Sequence, residues 1–328
     1  MEIVINLGWM VLGLTLLYFG AEWLVKGSSE LALRLGISPL VVGLTVVAFG
    51  TSAPELLVGI QANLKDPPQG DIALGNVVGS NIFNVALILG AAALMRPIVI
   101  NSQIIKRELP ILLIASLVFI LMIWDGVVTR AEGGVLTIGI VSYVLFSLVA
   151  AKAARRARQF EEFEKKEIEH AKEEGGRRIL MDVGLIVIGL AGLAYGADRL
   201  VVSGIELARL FGVPEAIIAL TFFAFGTSVP ELATSVVASL KKQGDIITGN
   251  VVGSCVFNLL AVVGIVALIR PISSEEIQRV DLWVMGGLAL LLIPFMWHKM
   301  RLSRFEGGIL LAICFGYVGY LGVRSGAF

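Results

Sequence analysis

Two glutamates stand out for their setting. Glu55 and Glu231 each close a GTSxPE hexapeptide, GTSAPE at 50–55 and GTSVPE at 226–231, inside long apolar runs. Thr51 and Ser52 lie four and three residues before Glu55, so the three side chains can share one helical face. Pro54 lacks an N–H, its ring clashes with the carbonyl of Gly50, and it disfavours helical geometry at Ala53. Gly50 adds backbone freedom. A kink is therefore predicted, freeing main-chain carbonyls around Ala48 to Thr51 for ligation. Ala224, Gly226, Thr227, Ser228, Pro230 and Glu231 repeat the pattern. A charge at bilayer depth costs at least a few kcal/mol and usually marks an ion path. No Lys or Arg lies within either motif, so each carboxylate calls for a proton or a cation partner. Carboxylates, hydroxyls and carbonyls form an all-oxygen set, which suits hard ions such as Ca²⁺, Mg²⁺ or Na⁺.

A second motif accompanies each of these. In GNVVGSNIFN, Asn76, Ser80 and Asn84 fall at i, i+4 and i+8, a polar stripe on an apolar helix; in GNVVGSCVFN, Asn250, Ser254 and Asn258 repeat it. Gly75 with Gly79, and Gly249 with Gly253, are small-xxx-small pairs that let helices approach. One such stripe alone reads as interhelical glue. Two, each paired with a glutamate motif, read as the remainder of a cation site. The other polar candidates are weaker. His170 sits in a charged segment and His298 near a helix end, with no HExxH, so a zinc protease has no support. Glu22, Glu30, Asp198 and Glu206 fall near predicted helix ends and read as interfacial, the alternative being the lining of an ion entrance.

The motifs need a membrane scaffold to hold them. The 328 residues are 57% hydrophobic and only 16% charged, with mean hydropathy +0.88. A bilayer core of about 30 Å needs about 20 apolar residues per helix. Such runs occur at 3–25, 37–64, 70–95, 108–124, 131–151, 180–203, 213–240, 245–269, 281–298 and 305–323. They are too long and continuous for barrel strands. The first has no basic n-region or cleavage site and reads as a first membrane helix. Net charge is zero, which gives no support to a nucleic-acid partner. Cys255 and Cys314 lie in apolar runs and suggest neither disulfides nor a thiolate metal site.

The chain repeats itself. AFGTSAPEL at 48–56 matches AFGTSVPEL at 224–232 in eight of nine positions, and GDIALGNVVGSNIFN at 70–84 matches GDIITGNVVGSCVFN at 244–258 in eleven of fifteen. YFGAEWLV and AYGADRLV, SELALRLG and IELARLFG extend the match upstream. Two five-helix repeats, 1–151 and 180–328, are thus joined by a charged segment, 152–179. Five is odd, so the second repeat enters the membrane upside down, and the motifs should meet near the midplane. The expected fold is an all-α polytopic membrane protein of ten transmembrane helices in two inverted-topology repeats. With both termini outside, 19 of the 26 Lys and Arg residues fall on the inner side, nine of them in 152–178. That segment therefore reads as a cytoplasmic loop, a solvated helix and linker, or a contact to anionic lipid through Arg155, Arg156 and Arg158.

The two motif pairs resemble the alpha repeats of the calcium/cation antiporter superfamily, which includes the sodium/calcium exchangers. The likeness spans nearly the whole chain, and GTSxPE followed by GNxxGSxxxN in both halves is a specific signature. The resemblance implies alternating access in a prokaryotic inner (cell) membrane, Na⁺ entering and Ca²⁺ leaving, with no cofactor and no enzyme activity. It implies Glu55 and Glu231 as central ligands of both ions, flanked by Thr51, Thr227, Ser52 and Ser228. Ser80, Asn84, Ser254 and Asn258 complete the sites, and Ala48 and Ala224 offer carbonyls. The implied partners are Ca²⁺, Na⁺ and the lipid bilayer, with a monomer as the working unit. One position departs: Asn258 stands where the exchangers usually carry Asp. Two carboxylates balance one Ca²⁺ but leave one positive charge over with three Na⁺. A proton-driven or other cation antiporter is the alternative in the same class. A channel fits an inverted repeat with kinked ligand helices less well.

Overall fold

The computed structural model describes residues 2–161, 175–212, 224–274 and 277–324, and these are almost wholly helical. The apolar runs become α1 (Glu2–Leu35), α2 (Pro39–Leu64), α3 (Gly70–Met95) and α4 (Ile104–Asp125). They continue as α5 (Arg130–Glu161), α6 (Gly175–Leu210), α7 (Val229–Leu240), α8 (Gly244–Ile269), α9 (Arg279–Met300) and α10 (Arg304–Arg324). Among the described residues nine helices are long and apolar enough to span a bilayer, and α7 is a shorter apolar one. The first part of the span predicted at 213–240 falls on 213–223, outside the described residues, as do 162–174 of the charged segment.

Two helices outrun their predicted ends. α1 passes residue 25 and continues to Leu35, because SSELALRL holds good helix formers and no proline. It stops at Gly36, whose φ of 63° is the left-handed geometry glycine tolerates. The N–H groups of Gly36 and Ile37 donate to the carbonyls of Leu33 and Ala32, each at 3.0 Å. α6 likewise runs to Leu210, ahead of Gly212 at φ 75°. Glu22 and Asp198 are therefore well inside helices and not near helix ends, a correction to the sequence reading. Glu22 accepts from Lys241 at 3.0 Å, and Asp198 pairs with Arg199. Glu30 and Glu206 do lie in final turns, beside Arg34 and Arg209.

The packing shows how the repeats relate. α1 and α6, the first helices of the two repeats, pack where neither has side chains to spare. A Cβ on Gly13 would stand 2.9 Å from the Gly196 carbonyl, one on Gly20 2.8 Å from that of Gly189, and one on Gly27 2.7 Å from that of Asp182. Residue numbers rise on one helix as they fall on the other, so equivalent helices run antiparallel and the repeats are inverted. The relation also holds between layers. A shift of 174 residues, the spacing from Gly70 to Gly244, turns the close approach of Gly90 to Gly307 into that of Gly264 to Gly133. The same shift turns the strand pair β1 (Ile98–Val99) with β4 (Arg301–Leu302) into β3 (Ile272–Ser273) with β2 (Val127–Val128). α5 of one repeat thus packs on α8 of the other, and α10 on α3.

At the centre stand α3 and α8, the most enclosed helices. Most of their apolar length is buried, whereas most of that of α1 is exposed. Exposed Leu, Ile, Val and Phe ring the outside, as lipid requires. Cys255 and Cys314 are buried and not joined to each other.

Candidate ion-binding site

The break in α2 is where proline demands it. Helix geometry fails at Ser52 (φ −86°, ψ 2°) and resumes at Ala53, which places Pro54 at the second position of the new helix. Ser228 has nearly the same angles (φ −88°, ψ 2°) ahead of Pro230. Gly50 is helical, so its backbone freedom is not used here; a Cβ there would meet the methyl groups of Leu190 at 2.5 Å, which a shift of that side chain could relieve. Glu55 and Glu231 fall in the first turns of helices, where the dipole favours negative charge. The carbonyl of Ala48 remains engaged, accepting the Ser52 N–H at 3.0 Å and the Thr51 hydroxyl at 3.4 Å, so the break frees the Gly50 carbonyl more than this one. Ala224 lies in the helical stretch Ala224–Gly226.

The stripes of α3 and α8 close on these breaks. Ser80 donates to Glu55 Oε1 at 3.3 Å, and its oxygen is 3.3 Å from Thr227 Oγ1, which in turn donates to Asn76 Oδ1 at 2.9 Å. On the opposite side Thr51 donates to Asn250 Oδ1 at 3.1 Å and lies 3.4 Å from Ser254 Oγ. Ser52 reaches Glu231 Oε1 at 3.5 Å, across the repeats. Asn84 and Asn258 each begin a π-helical stretch, Asn84–Leu89 and Asn258–Val262, of the kind common at functional sites. The four elements carrying the predicted residues therefore converge on one cluster at the pseudo-two-fold crossing.

The cluster is polar and fully buried. Glu55, Glu231, Asn84, Ser254 and Asn258 are 0% exposed. Glu55 Oε2, Glu231 Oε2, Ser228 Oγ, Asn258 Oδ1 and both amide atoms of Asn84 have no hydrogen-bond partner. Among the described residues no ion pair involves either glutamate. Buried polar atoms are rarely left so, and a carboxylate without counter-charge is the costliest of them. An oxygen-seeking cation would meet both demands.

Asn76 and Asn250, which the sequence places on the polar stripes, accept from Thr227 and Thr51 and so tie the stripes to the breaks. One neighbouring position, Asn81, escaped the sequence reading. Asn81 is the acceptor for Asn258 Nδ2 at 3.1 Å. It lies one residue off the i, i+4 stripe. The available signal was that Asn81 faces Cys255 in the repeat alignment, a rare difference between otherwise matching motifs. Three further buried carboxylates lie on other helices, of which Asp182 pairs with Arg34 at 2.5 Å. Tyr143 donates to Glu108 at 3.0 Å and Tyr317 to Asp281 at 2.9 Å, equivalent clasps joining α4 to α5 and α9 to α10.

A family model described as sodium/calcium exchanger protein matches residues 5–149 and 181–323. The chain belongs to the sodium/calcium exchanger family. It is a multi-pass membrane transporter and not an enzyme, built from two inverted repeats whose described residues hold nine membrane-length helices and the shorter α7. It is 32% identical to sodium/calcium exchanger MaX1 of Methanosarcina acetivorans, over 97% of this chain and 98% of that one. It is 38% identical to inner membrane protein YrbG of Escherichia coli, over 80% of this exchanger and 79% of the relative. A solved structure of the sodium-calcium exchanger NCX_Mj, soaked with Na⁺ and Sr²⁺, superimposes with a TM-score of 0.82 at 29% identity, covering 97% of this chain and 99% of that one.

Proposed function

We propose that this exchanger moves Na⁺ and Ca²⁺ in opposite directions by alternating access, and that both ions use the cluster between the two broken helices. The observation that carries the reading is the pair of fully buried glutamates, one from each repeat, each with an unpartnered oxygen and no cationic side chain. Glu55 and Glu231 supply a charge of −2, which one Ca²⁺ cancels. Thr51, Ser52, Thr227 and Ser228 at the breaks, and Ser80, Asn84, Ser254 and Asn258 on the stripes, supply neutral oxygens. The carbonyls of Ala48 and Ala224 flank them. Hard cations take six to eight oxygens at about 2.3–2.6 Å in the case of Ca²⁺, and the cluster is rich enough to furnish them. Occupancy by Ca²⁺ or by Na⁺, never both sets at once, is what couples the fluxes. Purified protein should therefore bind ⁴⁵Ca²⁺ saturably and release it as Na⁺ is added. Calcium binding indifferent to Na⁺ would refute a shared site.

Because one chain contributes both halves of the cluster, a monomer suffices for transport. The repeats extend over about 1–151 and 180–328, with 152–179 as a connecting charged segment. We place that segment in the cytoplasm and both termini outside, in the inner membrane of a prokaryote. The support is the uneven split of Lys and Arg, 19 against 7, together with the prokaryotic relatives. A cysteine introduced at Gln159 should resist an impermeant thiol reagent in intact cells and react after permeabilisation. Labelling from outside would reverse the topology.

A further inference from the structure

The carboxamide of Asn258 is held in one orientation by a chain of contacts that begins at an atom unable to change its role. The main-chain carbonyl of Cys255 is an acceptor only. Asn81 presents its Nδ2 to that carbonyl at 3.4 Å, with the Met285 sulfur, a second weak acceptor, at 3.8 Å from the same nitrogen. The NH₂ group of Asn81 is thereby committed, and its Oδ1 must accept. It accepts from Asn258 Nδ2 at 3.1 Å. Asn258 in turn is left with its oxygen free: Oδ1 is buried and has no partner. Flipping Asn258 would set two oxygens against each other and leave its NH₂ group in the cluster, where it would repel a cation.

The device is one-sided. Residue 81 corresponds to Cys255 in the second repeat, and a thiol cannot stand in for an amide. Cys255 leans its sulfur on the Asn81 carbonyl at 3.9 Å and lies beside the Asn84 side chain. Asn84, which corresponds to Asn258, has only the Cys255 thiol beside its side chain and no carboxamide partner. Two stripes of nearly the same sequence therefore end in differently held amides, one fixed by a carboxamide and one beside a thiol.

The geometry points to Asn81 as a positioning residue that turns the Asn258 oxygen toward the cation and so sets Ca²⁺ affinity. It needs no contact with the ion itself. The inference rests on the reading of the cluster as a Ca²⁺ site. The test is equilibrium ⁴⁵Ca²⁺ binding to the purified full-length protein. Asn81→Ser and Asn81→Leu should each weaken binding about tenfold, the usual size of one lost buried hydrogen bond. Asn258→Ala should weaken it as well. The double variant Asn81→Ser/Asn258→Ala should bind no worse than Asn258→Ala alone, since there is then no amide left to orient. In infrared difference spectra, the Ca²⁺-induced shift of an Asn side-chain carbonyl, missing in Asn258→Ala, should be reduced in Asn81→Ser. Additive losses in the double variant, or an unchanged infrared shift, would make Asn81 a packing residue and overturn the inference while leaving the Ca²⁺ site intact. Parent protein that binds no Ca²⁺ would overturn the site reading, and this inference with it. If Asn81→Leu folds poorly, the smaller Asn81→Ser carries the comparison.

Discussion

Glu55→Gln and Glu231→Gln should each abolish Ca²⁺ exchange. Glutamine keeps the size and shape of glutamate and removes one charge, so the loss reads electrostatics and not packing. At about 4 Å and an effective dielectric of about 20, one pair of unit charges is worth about 4 kcal/mol. Against a divalent ion, one missing carboxylate thus removes about 8 kcal/mol of gross attraction. Even a third of that is about a hundredfold in affinity. Both glutamates are fully buried and neither has a cationic partner, so no other side chain offsets the loss. The two variants should fail equally, because the site is shared by the repeats. Each should still purify as a monodisperse protein, since a neutral amide is less costly to bury than an unpaired carboxylate. Flux is measured as ⁴⁵Ca²⁺ movement in proteoliposomes of parent and variants. Near-parental flux in both variants would place the transport site elsewhere.

Much of this architecture is written in the sequence because a bilayer leaves few choices. Runs of about 20 apolar residues must be helices, the doubled motifs fix two repeats, and an odd number of helices per repeat fixes the inversion. Pro54 and Pro230 announced the breaks, and the spacing of Thr51, Ser52 and Glu55 announced what the breaks expose. Other features were not legible, each for a physical reason. The ends of α1 and α6 were missed because hydropathy falls at Glu22 and Lys26, whereas helix propensity persists to the glycine at 36. The exchange of partners between repeats, α5 on α8 and α10 on α3, depends on glycine contacts between residues such as Gly90 and Gly307. No local pattern encodes those. The same is true of Tyr143 on Glu108 and Tyr317 on Asp281. Asn81 was hidden because it sits beside the stripe, and its role appears only when the amide donors and acceptors are traced across two helices.

Exchange itself should be all or none with respect to the counter-ion. Each transport step in this cluster replaces one set of cations by another, and empty passage is costly. Without an ion, the site would have to switch access between the two sides with two buried carboxylates unneutralised and their outer oxygens unpartnered. Sodium loaded inside a vesicle supplies the returning ion, so it should drive Ca²⁺ inward against its own gradient. Potassium or an inwardly acidic pH at the same ionic strength should not. The decisive measurement is therefore ⁴⁵Ca²⁺ uptake into proteoliposomes loaded with Na⁺, K⁺ or acid, all diluted into the same Na⁺-free medium. Rapid accumulation is expected with Na⁺ inside, with uptake no greater than in protein-free vesicles for the other two. Equal uptake under all three conditions, or uptake driven by acid alone, would contradict Na⁺/Ca²⁺ exchange at this site.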